Sequence, residues 1–83
     1  MYYYIVCKTL TYSQRMSRFL DKNKIQSQIK RLPSELRERN GCGYAVRVGE
    51  KDLKRAVELL REAEIAPVRV YCHIESGGEE IEI

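Results

Sequence analysis

Two stretches of this chain carry apolar residues at helical spacing, and each is bracketed by shorter runs that alternate or are rich in branched and aromatic side chains. That change of period, strand to helix and back, made twice in 83 residues, is what most constrains the fold. Tyr2 to Cys7 is aromatic and branched and reads as a strand, with Thr9 and Thr11 placed to cap a following helix. Tyr12, Met16, Phe19 and Leu20 then lie on one face of a helix from about Thr11 to Asn23. Ile25 to Leu32 is a weaker, edge-like strand that stops at Pro33. Tyr44 to Val48 alternates, with Tyr44, Val46 and Val48 on one face and Ala45 and Arg47 on the other. Leu53, Ala56, Val57, Leu60 and Ala63 mark a second helix beginning near Glu50, and Pro67 separates it from a last alternating strand carrying Val68, Val70 and Cys72.

The order strand, helix, strand, strand, helix, strand predicts an α+β, ferredoxin-like βαββαβ domain over residues 1–75, with a flexible acidic tail over 76–83. Right-handed crossovers put both helices on one face of a four-stranded antiparallel sheet of order 4-1-3-2 and leave the other face open. Within it the first and third strands are expected to run parallel. That arrangement brings Cys42 near Tyr2, Cys72 and His73 and leaves Cys7 at the far end of the sheet. Residues Pro33 to Gly43 read as a mobile loop: Ser34 to Glu38 can form one turn of helix but offer little apolar surface to hold it.

One modest core is all that such a length supports, so the chain is too short to wall a substrate cleft between two lobes and is expected to work with a partner. No apolar run is long enough to span a bilayer, and Met1 to Cys7 lacks the basic start and long apolar stretch of a secretory signal, which points to the cytoplasm. The cysteines Cys7, Cys42 and Cys72 are odd in number and widely spaced, neither a disulfide framework nor a CxxC site. Cys72 and His73 are neighbours on a predicted strand and so face opposite ways, which argues against a metal centre. No Ser-His-Asp set, paired carboxylates, GxGxxG or Walker motif can be assembled, so a relay protein without a cofactor is expected rather than a self-contained enzyme.

Chemistry concentrates at Gly41-Cys42-Gly43. A cysteine with no side chain on either neighbour can present its sulfur to another protein's active site, and nearby Arg37 and Arg39 favour the thiolate. His73 is a further candidate for tuning it. A thiolate of this kind accepts a sulfur atom as a persulfide and hands it on, which needs one exposed nucleophile and a docking surface. Net charge of +3, with Lys and Arg gathered from Lys8 to Arg39, suits attraction to an acidic partner surface.

With Leu32-Pro33-Ser34-Glu35-Leu36, Gly41-Cys42-Gly43 running into Tyr44-Ala45-Val46-Arg47-Val48, and Asp52-Leu53 opening the second helix, the chain resembles a family of small bacterial and archaeal selenium/sulfur carrier protein-like domains. The likeness extends to about His73. It implies that Cys42 is the carrier residue, that sulfur or selenium is held as a persulfide or selenopersulfide, and that the partners are a cysteine desulfurase-like donor and an acceptor protein. The competing reading is an RNA-binding or protein-interaction module. Here Tyr2, Tyr4 and Tyr71 would lie on the open sheet face beside Arg47 and Arg69, offering rings for base stacking, or a homodimer interface. Gly43-Tyr44-Ala45-Val46 matches only part of the RNA recognition motif's third-strand signature, so nucleic acid ranks below a protein partner.

Overall fold

Period-2 runs form the strands and the period-3.6 stripes form the two longer helices, but a third helix and a fifth strand join them. The computed structural model describes residues 1–7, 9–41, 43–65 and 69–81. In chain order the elements are β1 (Tyr2–Val6), α1 (Leu10–Lys22), β2 (Ser27–Arg31), α2 (Ser34–Asn40), β3 (Tyr44–Gly49), α3 (Leu53–Glu62), β4 (Arg69–Cys72) and β5 (Glu79–Ile81). Short 3-10 turns over Glu50–Asp52 and Ile74–Ser76 lead into α3 and β5. Among the described residues no helix is long and apolar enough to cross a membrane.

The strands form one sheet of order β2-β3-β1-β4-β5, in which every neighbouring pair is antiparallel. The order expected for the first four strands is present. The parallel pairing expected of β1 and β3 is not: Tyr2 stands opposite Gly49 and Val6 opposite Ala45. The reason is topological. A crossover through α1 returns β2 in the direction of β1, and β3, turning back from β2 to lie between them, must run against both.

This reversal changes which residues share an end of the sheet. Arg31, Tyr44, Val6 and Arg69 mark one end, and Tyr2, Gly49, Cys72 and Glu79 the other. Segment 79–81, expected as part of a flexible tail, is a strand that pairs Val70 with Ile81 and Cys72 with Glu79, and Ile81 packs onto the core. Glu82 and Ile83, the rest of that tail, lie outside the described residues.

One face of the sheet is covered by two helices and the other in part by a third. On one, Met16 and Leu20 of α1 and Ala56 and Leu60 of α3 pack against Ile5, Val46, Val48 and Val70, all buried. On the other, Leu36 of α2 packs with Tyr4, Val6, Leu32, Ala45 and Tyr71. The loop expected to be mobile is therefore in part a helix, and the face expected to be open is roofed by it. The local signal for α2 is weak, because seven residues cannot sustain a helix alone and Leu36 is its one buried side chain. Full burial of a leucine supplies about 1.5–3 kcal/mol, and tertiary contact makes up what propensity lacks.

The longer helices stop in the same way. Thr9 caps α1 by accepting a hydrogen bond from the Tyr12 amide at 3.2 Å. At the far end Ile25 N–H donates to the Leu20 carbonyl at 2.9 Å and Lys24 N–H to Asp21 at 3.0 Å. After α3, Ile65 donates to Leu60 at 2.9 Å and Glu64 to Arg61 at 3.1 Å. Both are Schellman closures, with left-handed Lys24 (φ 63) and Glu64 (φ 58) where glycine is usual and a buried isoleucine sealing each end.

Candidate functional site around the Gly41 to Gly43 turn

Helix α2 ends at Gly41, whose φ of 67 lies in the left-handed region that costs other residues about 1–2 kcal/mol. Cys42 lies outside the described residues. On its far side Gly43 resumes the sheet, its carbonyl accepting from Leu32 N–H at 2.8 Å. A Cβ at Gly43 would stand 3.3 Å from Arg37 Cδ, so the absence of a side chain here lets the arginine lie across the backbone. Arg37 Nη1 donates to the Leu32 carbonyl at 2.9 Å. The turn is thus bounded by a left-handed glycine on one side and an arginine-covered glycine on the other.

Arg37 and Arg39 divide the roles expected of them. Arg37 is partly buried and tied to Leu32, so its side chain is fixed over Gly43 and adds positive charge there. Arg39 is exposed. Just before the turn, Asn40 makes three side-chain bonds: Nδ2 donates to the Leu36 carbonyl at 2.9 Å and to Tyr71 Oη at 3.2 Å, and Oδ1 accepts from Arg69 Nη1 at 2.9 Å. Arg69 reaches Glu80 at 3.7 Å as well. Sequence reasoning did not single out Asn40. Its only local signal is its place directly before a glycine, where a polar side chain often closes a helix.

The other predicted site residues are distributed differently from expectation. β3 begins at the Val6 end of the sheet, and His73, exposed with φ 51, lies at the Tyr2 end beyond Cys72. The expected juxtaposition of His73 and Cys72 with the start of β3 is therefore corrected, because antiparallel pairing puts them at opposite ends. Cys7, placed by expectation at the far end, follows Val6 at the end where β3 starts. It is buried, with Sγ 3.2 Å from Ser13 Oγ. Cys72 is 5% exposed, and its thiol pKa is raised, by burial first and then by the Glu79 carboxylate. A buried thiol at the opposite end of the sheet from the start of β3 is poorly placed to react with a sulfur there.

The stacking face is corrected too. Tyr4 is 9% exposed and Tyr71 fully buried beneath α2, so neither ring can meet a base, and Arg69 is engaged by Asn40 and Glu80. Tyr2 alone of the three tyrosines stays at the surface, 53% exposed, with the Arg47 guanidinium 4.1 Å from its ring centroid and also bonded to Gln28 Oε1. A single cation-π pair is not a stacking platform.

The family described as Putative Se/S carrier protein-like matches residues 2–72, a span from the start of β1 to the end of β4. No curated protein and no solved structure matches the chain.

Proposed function

This chain belongs to the Se/S carrier protein-like family, and on that premise we propose that it carries sulfur or selenium on Cys42 and passes it to a partner protein. The observation that supports this reading is the family match across β1 to β4, a span that includes Gly41-Cys42-Gly43. In the sulfur reaction the Cys42 thiolate attacks the outer sulfur of a donor persulfide. The donor's S–S bond breaks, the donor leaves as a thiolate, and Cys42 becomes a persulfide. An acceptor nucleophile then attacks that outer sulfur and restores the Cys42 thiolate. Selenium follows the same course through a selenopersulfide. No net oxidant is consumed, and no cofactor is required.

Each neighbouring residue has a part in this reading. Gly41 and Gly43 put no side chain on either neighbour of Cys42, Arg37 holds its place over Gly43 and adds positive charge, and Arg39 provides an exposed cation for an acidic partner. The donor is a cysteine desulfurase-like protein and the acceptor a second protein. We read β1 to β4 with α1 and α3 as a ferredoxin-like unit in a single domain, to which α2 and β5 are added. The order of the first four strands supports that reading.

The test is intact mass spectrometry after incubation with a cysteine desulfurase and cysteine, alongside Cys42→Ser. The expected outcome is one cyanide-releasable sulfur on the wild type and complete loss on the variant. An adduct that persists in Cys42→Ser, or none on either protein, overturns the assignment for that donor.

A further inference from the structure

We propose that Cys72, His73 and Glu79 bind a divalent cation of the zinc class at the β4–β5 hairpin. Sulfur, imidazole nitrogen and carboxylate oxygen of these residues all lie within 4.8 Å of one another. The site is independent of the carrier chemistry and lies at the opposite end of the sheet from the start of β3.

The backbone explains why three donors meet. Cys72 and Glu79 are register partners across an antiparallel pair, so their side chains leave the sheet on the same face. His73 would point to the other face if the strand continued. It does not continue: φ 51 and ψ 47 put His73 in the left-handed region, which breaks the alternation. The His73 carbonyl then accepts from Ser76 N–H at 3.0 Å and Gly78 N–H at 3.1 Å, while Gly77 (φ 94) and Gly78 (φ 83) turn the chain back into β5. A histidine whose backbone is held in an uncommon conformation by two hydrogen bonds, beside a strand-paired cysteine and glutamate, brings the three donors close together before any ion arrives.

The chemistry of the set selects the ion. A thiolate disfavours Mg2+ and Ca2+, whereas S, N and O donors together suit Zn2+. Zinc bonds of about 2.0–2.3 Å put tetrahedral donors roughly 3.5 Å apart. The exposed side chains of His73 and Glu79 therefore need to turn inward by about an ångström, while Cys72 stays in place. Coordination releases the Cys72 proton to solvent. Three protein donors leave a fourth position for water or an outside ligand, as in zinc sites that are not closed.

Co2+ serves as the spectroscopic probe. The Cys42→Ser protein removes the carrier thiol as a competing ligand, and on titration it is expected to show tetrahedral Co2+ bands and a thiolate-to-Co2+ charge-transfer band, both displaced by Zn2+. Cys72→Ala in that background should remove the charge-transfer band. Because a substitution at buried Cys72 can disturb folding, two exposed positions give a second arm. His73→Gly, which suits the left-handed backbone, and Glu79→Gln should each weaken Co2+ binding by at least roughly tenfold with the circular dichroism unchanged. The proposal is overturned if the Cys42→Ser protein gives no charge-transfer band, or if the band is indifferent to His73→Gly and Glu79→Gln.

Discussion

On the face covered by α1 and α3, many apolar side chains recur at helical spacing and meet the sheet along two full helices. On the face covered by α2, one leucine enters the core and one asparagine ties the helix to Tyr71 and Arg69. The first face is held by area and the second by a few specific contacts. The difference shows how a sheet can keep one side as a permanent core while the other carries a short helix that leads directly into Gly41-Cys42-Gly43. It also predicts different failure: global on the α1/α3 face, local on the α2 face.

Leu20→Ala should sharpen that contrast most. Leu20 is fully buried, so truncating its side chain should cost about 2–5 kcal/mol, read as a lower urea midpoint for the whole chain with unchanged slope. Leu36→Ala should cost about 2–3 kcal/mol or less, with a distinct signature. Amide exchange in α2 should rise while amides of α1 and α3 keep most of their protection. Equal loss of protection on both faces would erase the distinction.

A smaller effect is expected from Asn40→Ala, which leaves Tyr71 Oη and Arg69 without the amide between them, at about 1–3 kcal/mol. Faster exchange near Gly41 should accompany it. If thermal melting and exchange both stay at wild-type values, the polar half of the contrast is wrong. Smallest of all, Lys24→Gly and Glu64→Gly relieve left-handed backbone after α1 and α3 and should each raise stability by about 0.5–1 kcal/mol in chemical denaturation. A loss at either site would mean that the side chain there contributes more than its conformation costs.

Legibility in the sequence follows the same division. Met16 and Leu20, or Ala56, Val57 and Leu60, announce their helices by spacing alone, and the branched residues of β1 and β3 announce their strands. Leu36 cannot announce α2, because one apolar residue has no period, and what holds it, Tyr4 and Tyr71, is far away in the chain. β5 was hidden by its own composition: Glu79, Glu80 and Ile81 resemble a solvated end, although Ile81 packs onto the core opposite Val70. The left-handed turn at His73 has no sequence mark, and strand alternation therefore misread its relation to Cys72. The Gly41-Cys42-Gly43 turn stood out locally because glycine acts through the backbone, whereas the bonds of Arg37 and Asn40 that brace it needed the fold.

The fifth strand changes how the molecule meets copies of itself. The family match stops at residue 72, and a sheet ending there would show β4, with Val70 and Tyr71, as its outermost strand. With β5 in place that border, among the described residues, is Glu79–Ile81 and carries Glu79 and Glu80, while the opposite border, β2, carries Lys30 and Arg31. Two acidic borders repel, so pairing of this edge with the same edge of another molecule is disfavoured. Residues Glu79 to Ile81 thus keep β4, with its branched and aromatic Val70 and Tyr71, from being an exposed border.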